Sequence, residues 1–289
     1  MTALHDATEL TAIDGAPGDE LQTFGAEFSP AWGIWGPMGG YVASIALRAA
    51  GRACGRARPA SISVQFHGVG RYEPLEVRTR ILRSTRVATS VEVDLVQRDR
   101  SLLRATVWGV DELDAIEHHT SRRPDVPLPD GLPNMDQLFA EAGIERSTYE
   151  FWKRVEQRPL EWISDWDNTP PGEPAVTSWN RFVDAETHDD HWTDACRLLT
   201  IADIFGWICV GPAHRMSDVF EHWYAPTIEL TTRFAGDARS EPWLLVAAEA
   251  PVATGGAILH RGEVWTTDGR LVAQGGSTLL CRPTVQQPG

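Results

Sequence analysis

Residues 36–54 read GPMGGYVASIALRAAGRAC, and three runs of strand character follow: SISVQFH (61–67), LEVRTRIL (75–82) and ATSVEVDLVQ (88–97). Past the glycine-rich entry, small and apolar residues with Ala, Leu and Arg favour a close-packed helix. The three runs alternate β-branched with polar residues, as half-buried antiparallel strands do. Arg98-Asp99-Arg100 then turns the chain into a fourth strand, LLRATVWGV (102–110). The same order returns in the second half. DACRLLTIADIFGWICVG (194–211) reads as a buried helix, and TIELTTRF (227–234), WLLVAAEA (243–250) and GAILHRGEVWT (256–266) as strands. An Asp-Gly turn at 268–269 leads into the last strand, Leu271–Leu280. Ser61 aligns with Thr227 at an offset of 166 residues, and Asp99 with Asp268 at 169. A near-constant offset is the mark of a duplication with small insertions. A helix followed by a curled antiparallel sheet is an α+β unit. Two such units joined edge to edge give one continuous sheet, which removes two open edges and encloses the helices.

This reading divides the chain into a loosely held tail (1–20), a first repeat (21–111), a linker and lid (112–175) and a second repeat (176–289). The lid is rich in Pro, Asp and Trp. Short helices are expected at Met135–Ala142 and around residues 148–157. Trp152, Trp162 and Trp166 either pack against the sheet or line a pocket.

With 42% hydrophobic and 23% charged residues the composition is that of a globular protein. The net charge of −14 argues against a nucleic-acid partner. Arg48, Arg52, Arg56 and Arg58, and Arg80, Arg83 and Arg86, form two clusters that are either solvated surface or a holder for a phosphate. None of the four cysteines forms a C-x-x-C pair, so neither a metal nor a disulfide framework is expected, and a reducing cytoplasm fits. His188 and His191 are read as a loop pair, because no second cluster has metal spacing. The acidic N-terminus lacks the pattern of a secretory signal, and no run approaches the ~20 apolar residues of a membrane span.

Three stretches, taken in order, resemble the type II acyl-CoA thioesterases and their actinobacterial relatives. They are WGPMGGYVASIALRAA; RPASISVQFHGVGRYEPLEVRTRILRSTRVATSVEVDLVQRD; and APTIELTTRF with WLLVAAEAPVATGGAILHRGEVWTTDGRLVA. They cover most of residues 32–110 and 194–282. The resemblance implies a double hotdog fold and hydrolysis of an acyl-CoA or acyl-carrier thioester without a cofactor; by analogy a homo-oligomer is expected. It also implies a water held by an Asp on the second helix, a Thr at the start of the next strand and a Gln on the last strand. Asp203 and Thr227 match the first two. A carboxylate can accept the water's proton while a hydroxyl orients it. A structural hydrogen-bonded pair is the alternative for these two residues. At the third position stands Ser277. Gln274 lies three residues earlier, an odd shift that faces it the other way unless a bulge at Gly275-Gly276 re-aims it. Trp35, Gly39, Gly40, His67 and Gln274 are the expected substrate contacts, with the Gly39-Gly40 backbone polarising the thioester carbonyl.

Two other readings remain. A double hotdog enzyme of secondary metabolism would carry out a cyclisation or a dehydration on a polyketide-like intermediate. The missing glutamine and the twelve tryptophans lean that way, and His67 with Asp203 is the pair available for dehydration. A non-catalytic acyl-ligand binder would keep its affinity without Asp203.

Overall fold

A computed structural model describes residues 3–145, 149–183 and 190–284. The chain runs through α1 (Leu4–Ala7), β1 (Thr11–Asp14), β2 (Leu21–Glu27), α2 (Gly39–Cys54), β3 (Arg58–Phe66), β4 (Pro74–Ser84), β5 (Ala88–Gln97) and β6 (Arg100–Val110). It continues through α3 (Met135–Ala142), β7 (Val155–Pro159), β8 (Ala175–Phe182), α4 (His191–Ile208), α5 (Met216–His222), β9 (Trp223–Tyr224), β10 (Thr227–Phe234), β11 (Leu244–Thr254), β12 (Ala257–Trp265), β13 (Leu271–Leu280) and β14 (Arg282–Pro283). Twelve strands form one sheet in the order β1-β2-β4-β5-β6-β3-β10-β13-β12-β11-β8-β7, and β9 pairs with β14 apart from it. The order reads the same from either end. At its centre β3 pairs antiparallel with β10, Ser63 opposite Thr231. The fold is thus the expected α+β double hotdog.

Each half holds a hairpin, a long helix and four strands. The repeat is therefore longer than the sequence suggests, because β1–β2 and β7–β8 precede the helices. Residues 3–14, expected as a loose tail, are packed. Leu4, Ala7 and Leu10 are buried, and Thr11–Asp14 pairs with β2. Three apolar side chains scattered among acids are enough to dock a short segment on a ready-made edge. The helix expected around residues 148–157 is instead one turn of 3-10 helix, Glu150–Lys153, followed by β7. Val155 and Gln157 point inward in strand alternation, and Glu156 bridges Arg158 and Arg181 on the other face.

The two long helices pack antiparallel against each other on one face of the sheet, α2 over β3–β6 and α4 over β10–β13. They cross where Ser44 and Cys196 meet: the Ser44 hydroxyl donates to the Cys196 carbonyl (3.3 Å) and the Cys196 thiol to the Ser44 carbonyl (3.6 Å). One window within residues 191–213 is long and apolar enough for a membrane span by composition alone, and most of it is buried inside the fold. Its apolar surface is satisfied by the sheet and α2.

Candidate active site

Asp203 is a carboxylate on an otherwise apolar helix, and such a group must find donors or neutralise. It finds two. The Gly40 N–H, in the first turn of α2, donates to Oδ2 at 2.7 Å, and the Thr227 hydroxyl donates to Oδ1 at 3.0 Å. Burial still pushes its carboxyl from 3.8 up to about 6, with the two hydrogen bonds pulling the other way.

Both glycines are required by this approach. A methyl on Gly39 would lie 2.7 Å from Asp203 Oδ2, and one on Gly40 2.8 Å from Thr200 Cα. The Gly40 N–H is thus committed to the carboxylate and not free for a substrate carbonyl, as the sequence reading had it. The Gly39 N–H makes no hydrogen bond among the described residues, and Gly39 lines the cleft.

Thr227 reaches Asp203 because of a bulge. In β10 the inward residues are Leu230, Thr232 and Phe234, so regular alternation would turn Thr227 outward. The register with β13 shifts between Thr227 and Glu229, which makes Ile228 the extra residue and reverses the phase. From Ala273 to Thr278, β13 runs along β10 with no shift, so the bulge considered at Gly275-Gly276 does not exist. Gln274 accordingly sits on the exposed side and does not line the cleft. Ser277 is buried and also off the lining. It lies against Gly206, one helical turn from Asp203, with its Oγ 3.0 Å from His260 Nδ1. Sequence reasoning missed His260; its signal was a lone histidine in the inward phase of GAILHRGEVWT.

Asp203 and Thr227 lie in a cleft of about 240 Å³. Val42, Phe66, Leu102, Ile204, Trp207 and Leu279 make its apolar walls. Trp35, His67 and Arg282 stand among its exposed lining residues. Trp35 meets Tyr224 edge to face, and Arg282 lies over the same Tyr224 ring. His67 Nδ1 is 3.1 Å from the Ser101 hydroxyl, which donates to Asp94. Trp162 and Trp166 do not line the cleft. Both pack on Phe139, and Trp166 also packs on Phe220, which rests on the cleft residue Trp207. A larger groove of about 730 Å³, between the N-terminal segment and the β4–β5 region, is open and holds no comparable buried pair. Among the described residues no group of side chains could hold a metal ion; His188 lies outside them.

A model of the acyl-CoA thioesterase C-terminal domain matches residues 124–279, and one of the N-terminal domain matches residues 28–110. The chain belongs to the acyl-CoA thioesterase family. Among solved structures, a hot dog fold protein of unknown function from Alicyclobacillus acidocaldarius is 20% identical over 98% of both chains, with a TM-score of 0.78. The acyl-CoA thioesterase II of Mycobacterium marinum is also 20% identical, over 98% of this chain and 99% of that one, with a TM-score of 0.76. A more distant likeness joins the chain to the dehydratase domain of PpsC from Mycobacterium tuberculosis, solved with C12:1-CoA. It is 12% identical over 96% of this chain and 99% of that one, with a TM-score of 0.55. At such identities the likeness is one of fold. No curated protein matches the chain. Within the acyl-CoA thioesterase family the cleft described above is the candidate active site.

Proposed function

We propose that the chain hydrolyses acyl-CoA, or an acyl group on a carrier, with Asp203 as general base. The observation that carries this reading is a buried carboxylate held by Gly40 N–H and Thr227 hydroxyl at an apolar cleft, beside the unpaired Gly39 N–H. A water resting on Asp203 and Thr227 attacks the thioester carbon while Asp203 takes its proton. The Gly39 N–H receives the developing oxyanion at the positive end of α2. The carbon–sulfur bond then breaks, and the thiolate leaves with the proton that Asp203 returns. A base whose pKa is raised to about 6 suits this exchange near neutral pH. The apolar walls take the acyl chain, and the polar groups Trp35, His67 and Arg282 take the carrier.

The test is free-thiol release from acyl-CoAs of graded chain length, with wild type beside Asp203→Asn. Turnover lost in the variant supports the reading; no turnover on any chain length, from folded protein, overturns it.

One observation favours a second reading, dehydration of a 3-hydroxyacyl thioester. His67 and Asp203 come from opposite halves and share the cleft, and Ser101, by donating to Asp94, leaves its oxygen to accept from His67 Nδ1–H. His67 Nε2 is then free to act as a base. Enoyl thioester absorbance growing from a 3-hydroxyacyl-CoA, and lost in His67→Ala, would establish this reading over hydrolysis.

A further inference from the structure

Three strands beneath α4 carry inward polar side chains, Thr232 on β10, His260 on β12 and Ser277 on β13, all buried. The first half shows what the fold itself requires there. The register shifts between Pro59 and Ser61 in β3 and between Thr227 and Glu229 in β10, so these bulges mark equivalent positions, equivalent residues in the two strands differ by 168, and Thr232 corresponds to Val64. Following the register outward, Ser277 corresponds to Val107 and His260 to Val91. All three valines are fully buried. The architecture is thus satisfied by valine at each position, and the polar set in the second half needs another reason.

The cost of that set is visible. His260 is 6% exposed, and burial pushes its imidazole down to about 4, so it is neutral at physiological pH. Among the described residues its Nε2 has no hydrogen-bond partner. A buried N–H without an acceptor is rarer than a buried acceptor without a donor, which favours the tautomer with the proton on Nδ1. Nδ1–H then donates to Ser277 Oγ, and the Ser277 O–H is left free to donate elsewhere.

Gly206 gives this hydroxyl its place. A methyl there would lie 3.2 Å from Ser277 Oγ, 3.3 Å from His260 Cγ and 3.2 Å from Leu279, and Leu279 is a wall of the cleft. The helix therefore presents bare backbone to the pair one turn beyond Asp203. We propose that His260 is a positioning residue of the candidate site: it fixes the Ser277 hydroxyl beside the cleft wall Leu279, one helical turn from Asp203, and from there that hydroxyl donates to the water held by Asp203 and Thr227. Such a bond leaves one lone pair of the water free for attack. The inference rests on the hydrolytic reading above.

His260→Val and Ser277→Val each install the residue that the other half already uses. With acyl-CoA as substrate, each is expected to lower kcat at least tenfold, to change KM less than twofold, and to leave Tm unchanged or higher. His260→Asn can still donate to Ser277 and is expected to recover part of kcat. Ser277→Ala, the mildest change, is expected to match the valine variant. Wild-type kcat in His260→Val or in Ser277→Ala overturns the inference alone, as does a kcat loss that tracks a falling Tm. A wild type that hydrolyses no acyl-CoA overturns the hydrolytic reading and this inference together.

Discussion

The two ends of the helix pair are related by the same duplication, yet different side chains fill them. Ser44 and Cys196 exchange reciprocal contacts at the crossing and differ by 152 positions. By that offset Gly40 corresponds to Trp192 and Asp203 to Gly51. The contacts agree: Gly40 packs against Asp203 Cβ at 3.1 Å, and Gly51 against the Trp192 ring at 2.5 Å, measured from a methyl placed on each glycine. At one end glycine stands at the helix entry and a carboxylate faces it. At the other the entry carries an indole, which fills the space over a glycine and anchors its Nε1–H on the Arg56 carbonyl at 2.8 Å. The bulge is shared as well. Register shifts between Pro59 and Ser61 in β3, as it does between Thr227 and Glu229 in β10. There the first half has Pro59, which offers no hydroxyl and no N–H, where the second has Thr227. The duplication supplied two bulged corners beside the helix ends; one holds the candidate site, and the Trp192 indole fills the other.

Removing the carboxylate from the open end should break this comparison most sharply. Asp203→Asn keeps an acceptor for Gly40 N–H and a polar partner for Thr227, but removes the base. Activity is expected to fall about 10²–10⁴-fold, the usual range for a positioned base. Stability at pH 7 should move the other way. Asp203 carries a shift of about 2 pH units from burial, worth about 3 kcal/mol as a penalty, and the neutral amide escapes it. Thiol-release assays paired with urea unfolding check both signs; a large loss of stability in the variant would show that the charge is structural.

The closed end should respond in the opposite sense. Trp192→Ala removes a buried indole from above Gly51 and should cost about 3–5 kcal/mol. Its kcat at temperatures where the variant is folded should stay near wild type. A drop in kcat comparable to that of Asp203→Asn would mean that the two ends are coupled and not separately specialised.

Between these lies the glycine at the open end. A methyl on Gly39 would sit 2.7 Å from Asp203 Oδ2, so Gly39→Ala forces the helix entry away from the carboxylate. A cost of about 1–3 kcal/mol is expected from overpacking, together with a loss of kcat, because the free N–H moves with the backbone. Thermal unfolding and thiol release on one sample would separate the two effects.

Much of this comparison was legible in the sequence and part of it was not, for identifiable reasons. Strong local signals reported themselves: β5, β10, β13 and α3 fall within the bounds expected from the sequence. Asp203 and Thr227 were named because the resemblance to the type II acyl-CoA thioesterases puts an aspartate and a threonine at matching positions, and the structure brings the two within hydrogen-bond distance. The aim of Thr227 was not visible, since it depends on an extra residue that only the pairing with β13 defines. His260 escaped for the same reason. Its meaning comes from Ser277 directly opposite and from Val91 in the other half, and neither is near it in the chain. The β1–β2 and β7–β8 hairpins were lost among acids and prolines, because each is held by the sheet it joins more than by its own pattern.

The smallest expected effect also separates the two polar groups of the open end. Asp203 titrates near 3.8 unfolded and about 6 folded, so as pH rises through that window the unfolded chain ionises first and the folded state loses stability. His260 titrates near 6.5 unfolded and about 4 folded, so as pH falls through that window the unfolded chain takes the proton first, and again the folded state loses stability. Their slopes oppose each other between about pH 4 and 6, each amounting to no more than about 3 kcal/mol. In wild type they should nearly cancel. Relative to wild type, Asp203→Asn should then become more stable as pH rises from 4 to 6, and His260→Val should become less stable over the same range. The first half has Gly51 and Val91 at these positions and contributes neither slope, so the difference curves isolate the open end. Urea unfolding at half-unit pH steps would reveal them, and difference curves that are flat for both variants would mean that neither group keeps its buried protonation state in solution.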